Sequence, residues 1–180
     1  TLLKAKIGPN EGEKLSVNQK IELNSTFTNK NKKLFLNFDT TNEIRVLPGA
    51  QLNYFSDKSL KDFYSEKYKI TNNTDRMGAR LEGNKLEHVD SFNIPSEGIT
   101  KGSIQVPGDG HPIVLLNDHP TVGGYPKIAH IITADFDNFI QKQPGSEVRF
   151  KEVNTLEAEQ AFDEYLLYKK KQEYSIQIIT

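Results

Sequence analysis

The sequence predicts a mainly β protein, a barrel or sandwich of short strands with two brief helices and one longer helix near the C-terminal end. Three observations carry this. Apolar residues recur at every second position in short runs, the spacing of half-buried strands. Those runs are separated by Gly, Pro, Asn and Asp, the residues that turn a chain. Sustained helical spacing occurs only after residue 154, whereas a doubly wound sheet would need a helix between successive strands.

In "EGEKLSVNQKIEL", Leu15 and Val17, then Ile21 and Leu23, keep a period of two and predict strands after a turn. "KKLFLNF" (32–38) alternates too. "EIRVLPG" (43–49) predicts a strand ended by Pro48-Gly49. "SDKSLKDFYSEKY" then predicts a short helix: Ser56 can cap its free N–H groups, Asp57 suits the positive end of the dipole, and Leu60 and Phe63 share a face. "KYKITNNT" returns to strand, and residues 75–102 read as short strands joined by turns.

"SIQV" (103–106) and "PIVLLN" (112–117) predict a hairpin closed by "PGDGH". "KIAHIIT" (127–133) is a further strand. "ADFDNFIQKQPG" gives a short helix with Phe136, Phe139 and Ile140 inward. "EVRFKEV" (147–153) alternates Val148, Phe150 and Val153 with charged neighbours. In the tail, Asn154 and Glu157 form a capping-box pattern. Leu156, Ala161, Phe162, Tyr165 and Leu166 follow helical spacing, and Lys169 to Lys171 sit at the negative end of the dipole. "YSIQIIT" is a last strand.

Composition excludes several classes of function. The chain has 180 residues, 36% of them hydrophobic, enough to build a core. Basic residues number 23 against 24 acidic, so charge gives no reason to expect nucleic acid or a membrane surface as partner. There is no cysteine, which excludes disulfides, zinc–thiolate sites and thiol nucleophiles and suits a cytoplasmic location. No apolar run is long enough to span a bilayer, and "TLLKAKIGPNEGEK" lacks the apolar stretch of a signal peptide. The chain opens on Thr1 and its single methionine is Met77, so either a removed front or a piece of something longer is expected.

Local chemistry leaves alternatives open. "GDGHP" lacks the Gly-Lys-Ser/Thr ending of a phosphate loop and reads as a hairpin turn. "VGGYPKI" lets a backbone or ligand approach closely over its glycines, with Tyr125 and Lys127 offering a hydroxyl and a cation, but it reads equally as a loop between strands. His111 and His119 flank a strand and stand roughly 20 Å apart if it is extended, so no shared metal is expected. His88, His111, His119 and His130 read as ordinary surface or turn histidines. "NTDRMGARLEG" reads first as a salt-bridged turn.

Four separated stretches, "IRVLPGAQ" (44–51), "DRMGARLEG" (75–83), "SEGITKGSIQVPGDGHPIVLLNDHPTVGGYPKIAHIITAD" (96–135) and "PGSEVRFKEV" (144–153), resemble the C-terminal half of the KipA / allophanate hydrolase subunit 2 family in order and spacing. That family also supplies the C-subunit of the bacterial ATP-dependent 5-oxoprolinase, and a related region lies in the carboxyltransferase domain of urea carboxylase. "EGEKLSVNQKIEL" weakly resembles the close of the family's N-terminal half, with "VNQ" in place of the usual "KGD" turn.

The resemblance implies a cyclophilin-like β-barrel over 43–153, preceded by the end of a truncated N-terminal β domain (1–42) and followed by a C-terminal helix and tail (154–180). It implies that Tyr125, Lys127 and Asp109 are catalytic. It also implies that Arg76, Gln105, His119, Thr121, Gly123 and Gly124 line a site for a small amide or lactam. Pro120 stands where many relatives carry Gln and Val122 where Thr is usual, which removes polar groups from that loop. Arg80 ranks lower, because relatives vary there.

The function implied is the ATP-dependent opening of 5-oxoproline to glutamate together with other subunits of the same enzyme complex, ATP binding elsewhere in that complex. The chain alone is expected to be inactive. Carboxyl transfer from carboxybiotin to urea or a similar amide is the second reading. It places the biotin on another chain, since Met77 is followed by Gly78 rather than Lys. A kinase-binding regulatory module and an inactive remnant complete the set.

Overall fold

The computed structural model describes residues 16–20, 31–33, 41–173 and 177–179. The chain forms two compact units, one of residues 1–33 with 177–180 and one of residues 34–176. In the first, β1 (Asn31–Lys33) pairs antiparallel with β11 (Gln177–Ile179). Val17, expected on a strand, lies instead in a turn over residues 16–19, where the Gln19 N–H donates to the Ser16 carbonyl and Asn18 takes φ 67°. Asn tolerates that left-handed conformation better than most residues. The other positions of that predicted pattern, Leu15, Ile21 and Leu23, and residues 34–38 lie outside the described residues.

The second unit is a closed barrel of seven strands. In spatial order these are β10 (Glu147–Glu152), β2 (Glu43–Pro48), β9 (Lys127–Ile131), β6 (Ser103–Gln105), β7 (Ile113–Leu115), β4 (Gly78–Glu82) and β3 (Lys67–Thr74), with β3 returning to β10. All these pairs are antiparallel except β2 with β10. Closure leaves no bare sheet edge. Alternation in the sequence sets the inside: Ile44 and Val46, Tyr68 and Ile70, Ala79 and Leu81, and Val148 and Phe150 are all buried in one core.

Helices plug and flank the barrel. Ser56 accepts the Ser59 N–H at the start of α1 (Asp57–Ser65), as expected of a cap. Its Phe63 stacks on Phe150, ring centroids 4.8 Å apart and planes 13° from parallel. Helix α2 (Thr133–Ile140) buries Phe136 and Phe139. Near its start, Asp135 accepts the Arg45 backbone N–H at 2.8 Å and a two-pronged contact from the Arg45 guanidinium. A carboxylate in the first turn also suits the helix dipole.

Helix α3 (Thr155–Glu173) opens on the predicted capping box: the Asn154 N–H donates to Glu157 at 2.8 Å, and the Glu157 N–H donates to the Asn154 side chain at 3.0 Å. Little of its apolar surface is covered. Ala161 is buried with Ile132 and Val153, whereas Leu156, Phe162 and Leu166 are largely exposed. The contact face is narrow, and polar bonds complete it: the Tyr165 hydroxyl donates to Asp137 at 2.6 Å and Lys169 pairs with the same carboxylate. No helix among the described residues is long and apolar enough to cross a membrane.

Candidate functional site

Strands β6 and β9 break the simple alternation. All three residues of β6 are buried, and in β9 both Ile128 and Ala129 join the core. The outer face of β6 is covered by a small two-stranded arm, β5 (Glu97–Gly98) with β8 (Val122–Gly123). This arm explains why "SIQV" can place Ser103 and Gln105 away from the core and still bury them, to 3% and 5% exposure.

Those two residues single out the site. Four polar or charged side chains are buried among the described residues. Asp135 is matched by Arg45, and Ser59 bonds to Ser56 and Glu87 around the start of α1. The remaining two, Ser103 and Gln105, lie side by side on β6 facing β9. Buried polar groups cost stability unless paired, and each of these two has partners: Ser103 has Thr100 and His130, and Gln105 has the Tyr125 carbonyl.

The Gln105 amide donates to the Tyr125 carbonyl at 3.3 Å. Gly123 leaves room for it: a Cβ there would stand 2.7 Å from the Gln105 amide nitrogen. Lys127 faces Gln105 across the strands and forms an ion pair with Glu97 from the arm. Gln51 ties both, donating to Glu97 at 2.9 Å and accepting the Lys127 backbone N–H at 3.2 Å. The hydrogen bond from Lys127 holds the Glu97 carboxyl below its ordinary value, partly opposed by burial.

Beside Lys127 opens a cavity of about 170 Å³, bounded by Gly49, Gly98, Thr100, Ser103, Lys127 and His130 among others. At roughly 30 Å³ per water in the liquid, it has room for about five water molecules' worth of ligand. Lys127 and His130 both reach it although they stand an odd number of positions apart. In a regular strand such residues point to opposite faces. The register shift between Ile104 and Gln105, which sets Ile104 against Ala129 but Gln105 against Lys127, inserts Ile128 as an extra residue and re-aims the side chain. Ser103 Oγ stands 3.3 Å from Nδ1 of His130 and 3.4 Å from Thr100 Oγ1. Burial holds the His130 imidazole below its ordinary value.

The structure thus brings Lys127, Gln105, Gly123 and the Tyr125 backbone together. The Tyr125 side chain is 40% exposed. Gly124 accepts the Ile94 N–H and Thr121 accepts the Ile99 N–H, both shaping the arm. Arg76 and Asp109 sit elsewhere. Arg76 is an exposed turn residue gripping Asp118 at 2.5 and 3.1 Å. Those contacts hold the Asp118 carboxyl low, and the partners of Arg76 and Arg80, Asp118 and Asp109, lie outside the 73–83 turn.

Asp109 pairs with Arg80 at 2.5 Å. Burial pushes its carboxyl up, but the His111 N–H and Arg80 outweigh that and hold it below the ordinary value. Arg80 is opposite Ile113, Ile113 opposite Gln105, and Gln105 opposite Lys127. Three strand spacings, about 14 Å along the sheet, therefore separate Arg80 from Lys127. His119 contacts its own neighbour, the Pro120 carbonyl, at 2.6 Å.

A second, larger hollow of about 580 Å³ lies over β4 and β7, lined by Asn72, Asp75, Met77, Arg80 and Pro120 among others. Its charged groups are already matched, Arg80 by Asp109 and Asp75 by the Met77 and Gly78 N–H groups. The smaller cavity, whose wall sets the buried Ser103 beside Lys127 and His130, is the better candidate. No cluster of three or more His, Cys, Asp or Glu side chains among the described residues is placed to hold a metal.

Reading the sequence alone missed Glu97, Gln51, Ser103 and His130. The signal for Gln51 and Glu97 lay inside the quoted stretches 44–51 and 96–135, whereas the Ser103–His130 contact depends on a register that no local pattern carries.

Known proteins resemble this chain in sequence and fold. A family model described as carboxyltransferase domain, subdomain A and B, matches residues 1–152. The chain is 34% identical over 158 residues to the 5-oxoprolinase C-subunit of Haemophilus influenzae, covering 88% of this chain and 51% of that protein. It is 38% identical over 117 residues to the 5-oxoprolinase C-subunit of Escherichia coli, covering 65% of this chain and 38% of that protein. The chain therefore spans about half the length, or less, of these relatives. Among solved structures, Kluyveromyces lactis urea carboxylase superposes with a TM-score of 0.68 at 23% identity, over 77% of this chain and 13% of that one, a likeness of fold.

Proposed function

This chain belongs to the carboxyltransferase domain family, subdomains A and B, and on that premise we propose that it is the C-terminal part of a 5-oxoprolinase subunit that helps open 5-oxoproline to glutamate. The relatives named as the C-subunit of 5-oxoprolinase support this reading, and the word subunit in their name supports action within a complex. The observation that carries it is Lys127, held at the cavity wall by Glu97 and Gln51 beside the buried amide of Gln105. A fixed cation can stabilise the charge that develops on a carbonyl oxygen under attack, and Gln105 supports the strand opposite it.

The residues at this cavity do not suit a nucleotide triphosphate. Among the described residues, Lys127 is the one lysine or arginine in its lining, and a triphosphate needs several donors or cations. ATP is therefore assigned to partner subunits, and no step runs through it here. The fold shared with urea carboxylase supports carboxyl transfer to an amide as the second reading, with biotin carried by another chain.

Co-expression with the partner subunits, followed by an assay for glutamate formed from 5-oxoproline and ATP, tests the proposal. Turnover should require this chain and should fall about 100-fold in Lys127→Ala. An assembled complex that binds no 5-oxoproline and forms no glutamate, but carboxylates urea, would establish the second reading instead.

A further inference from the structure

We propose that Ser103 and His130 form the proton acceptor of this site: Ser103 takes a proton from a water molecule attacking the amide carbonyl and passes its own to Nδ1 of His130. This rests on the amide substrate lying in the Lys127 cavity, as read above, and adds the group that removes the proton.

Ser103 and His130 are directly opposite each other on β6 and β9, and both line the cavity that Lys127 lines. Ser103 Oγ is the middle member of a chain running from Thr100 Oγ1 to the imidazole. Its contacts, at 3.3 and 3.4 Å, are long, and catalytic hydrogen bonds commonly tighten only with substrate in place. No carboxylate among the described residues is bonded to the imidazole, and the ring is held neutral at neutral pH by burial, as a proton acceptor must be. A cross-strand pair serving only to satisfy two buried groups would need no opening to a cavity. This one has an opening, and the extra residue Ile128 puts Lys127 on the same side.

Atoms and charge balance through the step. The water oxygen bonds to the carbonyl carbon while Lys127 stabilises the carbonyl oxygen. One water proton moves to Ser103 Oγ as the Ser103 proton moves to Nδ1, giving an imidazolium. When the carbon–nitrogen bond breaks, the proton returns along the same path to the departing nitrogen. Water is consumed, a carboxyl and an amine form, and Ser103 and His130 end as they began.

The test uses the complex assembled from this chain and its partner subunits. Ser103→Ala removes one oxygen and Ser103→Thr keeps the hydroxyl, so the pair separates chemistry from folding. His130→Gln removes the acceptor. Glutamate formation is expected to fall about 100-fold in His130→Gln and about 10-fold in Ser103→Ala, with recovery in Ser103→Thr. Binding of 5-oxoproline, followed by calorimetry, should change less than about 3-fold. The acid limb of the kcat/KM profile should disappear in His130→Gln, a change that lost packing would not cause. If the wild-type complex turns over 5-oxoproline and both Ser103→Ala and His130→Gln keep its rate and its acid limb, the inference is overturned while the function stands. If the wild-type complex neither binds nor turns over 5-oxoproline, the function falls and the inference falls with it.

Discussion

Gly49 lies so close to the backbone carbonyl of Lys127 that no side chain fits between them. The glycine N–H donates to the Ile128 carbonyl at 2.9 Å, so the turn after β2 is pressed against the start of β9 at the cavity wall. The obstruction is main chain rather than the end of a flexible side chain. Gly49→Ala must therefore push the turn and β9 apart, at about 3 kcal/mol or more. A lower urea midpoint at unchanged slope, together with loss of ligand binding, is the expected result in equilibrium unfolding and calorimetry.

Gly123→Ala should behave differently. Its Cβ would meet the Gln105 side chain at 2.7 Å and Ile99 at 3.0 Å, groups that can shift. Stability is expected to fall by only about 1 kcal/mol. The Gln105 amide, however, must leave the Tyr125 carbonyl. Gln105 stands opposite Lys127 and Ile99 lines the cavity, so displacing both should disturb the cavity wall and weaken binding of 5-oxoproline about 10-fold. Thermal unfolding and calorimetry on the same variant separate the two effects.

His130 ties stability to pH. Burial lowers its pKa in the folded chain, so the unfolded chain binds the proton more readily. The stability associated with the neutral ring is complete above the unfolded value of about 6.5 and declines as pH falls below it. Urea midpoints measured from about pH 7.5 down to about pH 5 should fall, and His130→Gln should flatten that slope.

The stack of Phe63 on Phe150 joins α1 to the barrel, and both rings are buried. Phe63→Ala leaves a large void at the barrel end, so a loss of about 3–5 kcal/mol is expected. Chemical denaturation should show it as a lower midpoint with an unchanged slope.

The capping box at α3 acts locally. Asn154→Ala should cost about 1 kcal/mol of helix stability. Because α3 contacts the rest of its unit through a narrow face, hydrogen exchange should speed up within 155–170 while the barrel strands keep their protection.

The barrel strands and the helix starts were legible because each rests on short-range chemistry. Ile44 and Val46, or Val148 and Phe150, alternate wherever one face is buried, and Ser56, Asn154 and Glu157 act within one helical turn. The seat of α3 was not legible, since Leu156, Phe162 and Leu166 have helical spacing whether or not anything covers them. The site was readable only in part. Lys127, Gln105 and Gly123 came from likeness to a family. Glu97 meets Lys127 only through the arm that folds over β6, and His130 meets Ser103 only in the register that β6 and β9 adopt. Such pairings across distant stretches leave no periodic trace.

The parallel seam between β2 and β10 has a bearing on synthesis. β2 leaves the ribosome early, yet both its neighbours, β9 and β10, come from the far end of the barrel sequence. Until they emerge, the nascent sheet carries two bare rims, the kind of surface that captures other chains. A polypeptide ending before residue 147 would lack β10 and keep bare rims on β2 and β3 for good, so clumping rather than a smaller working barrel is the fate to expect of it.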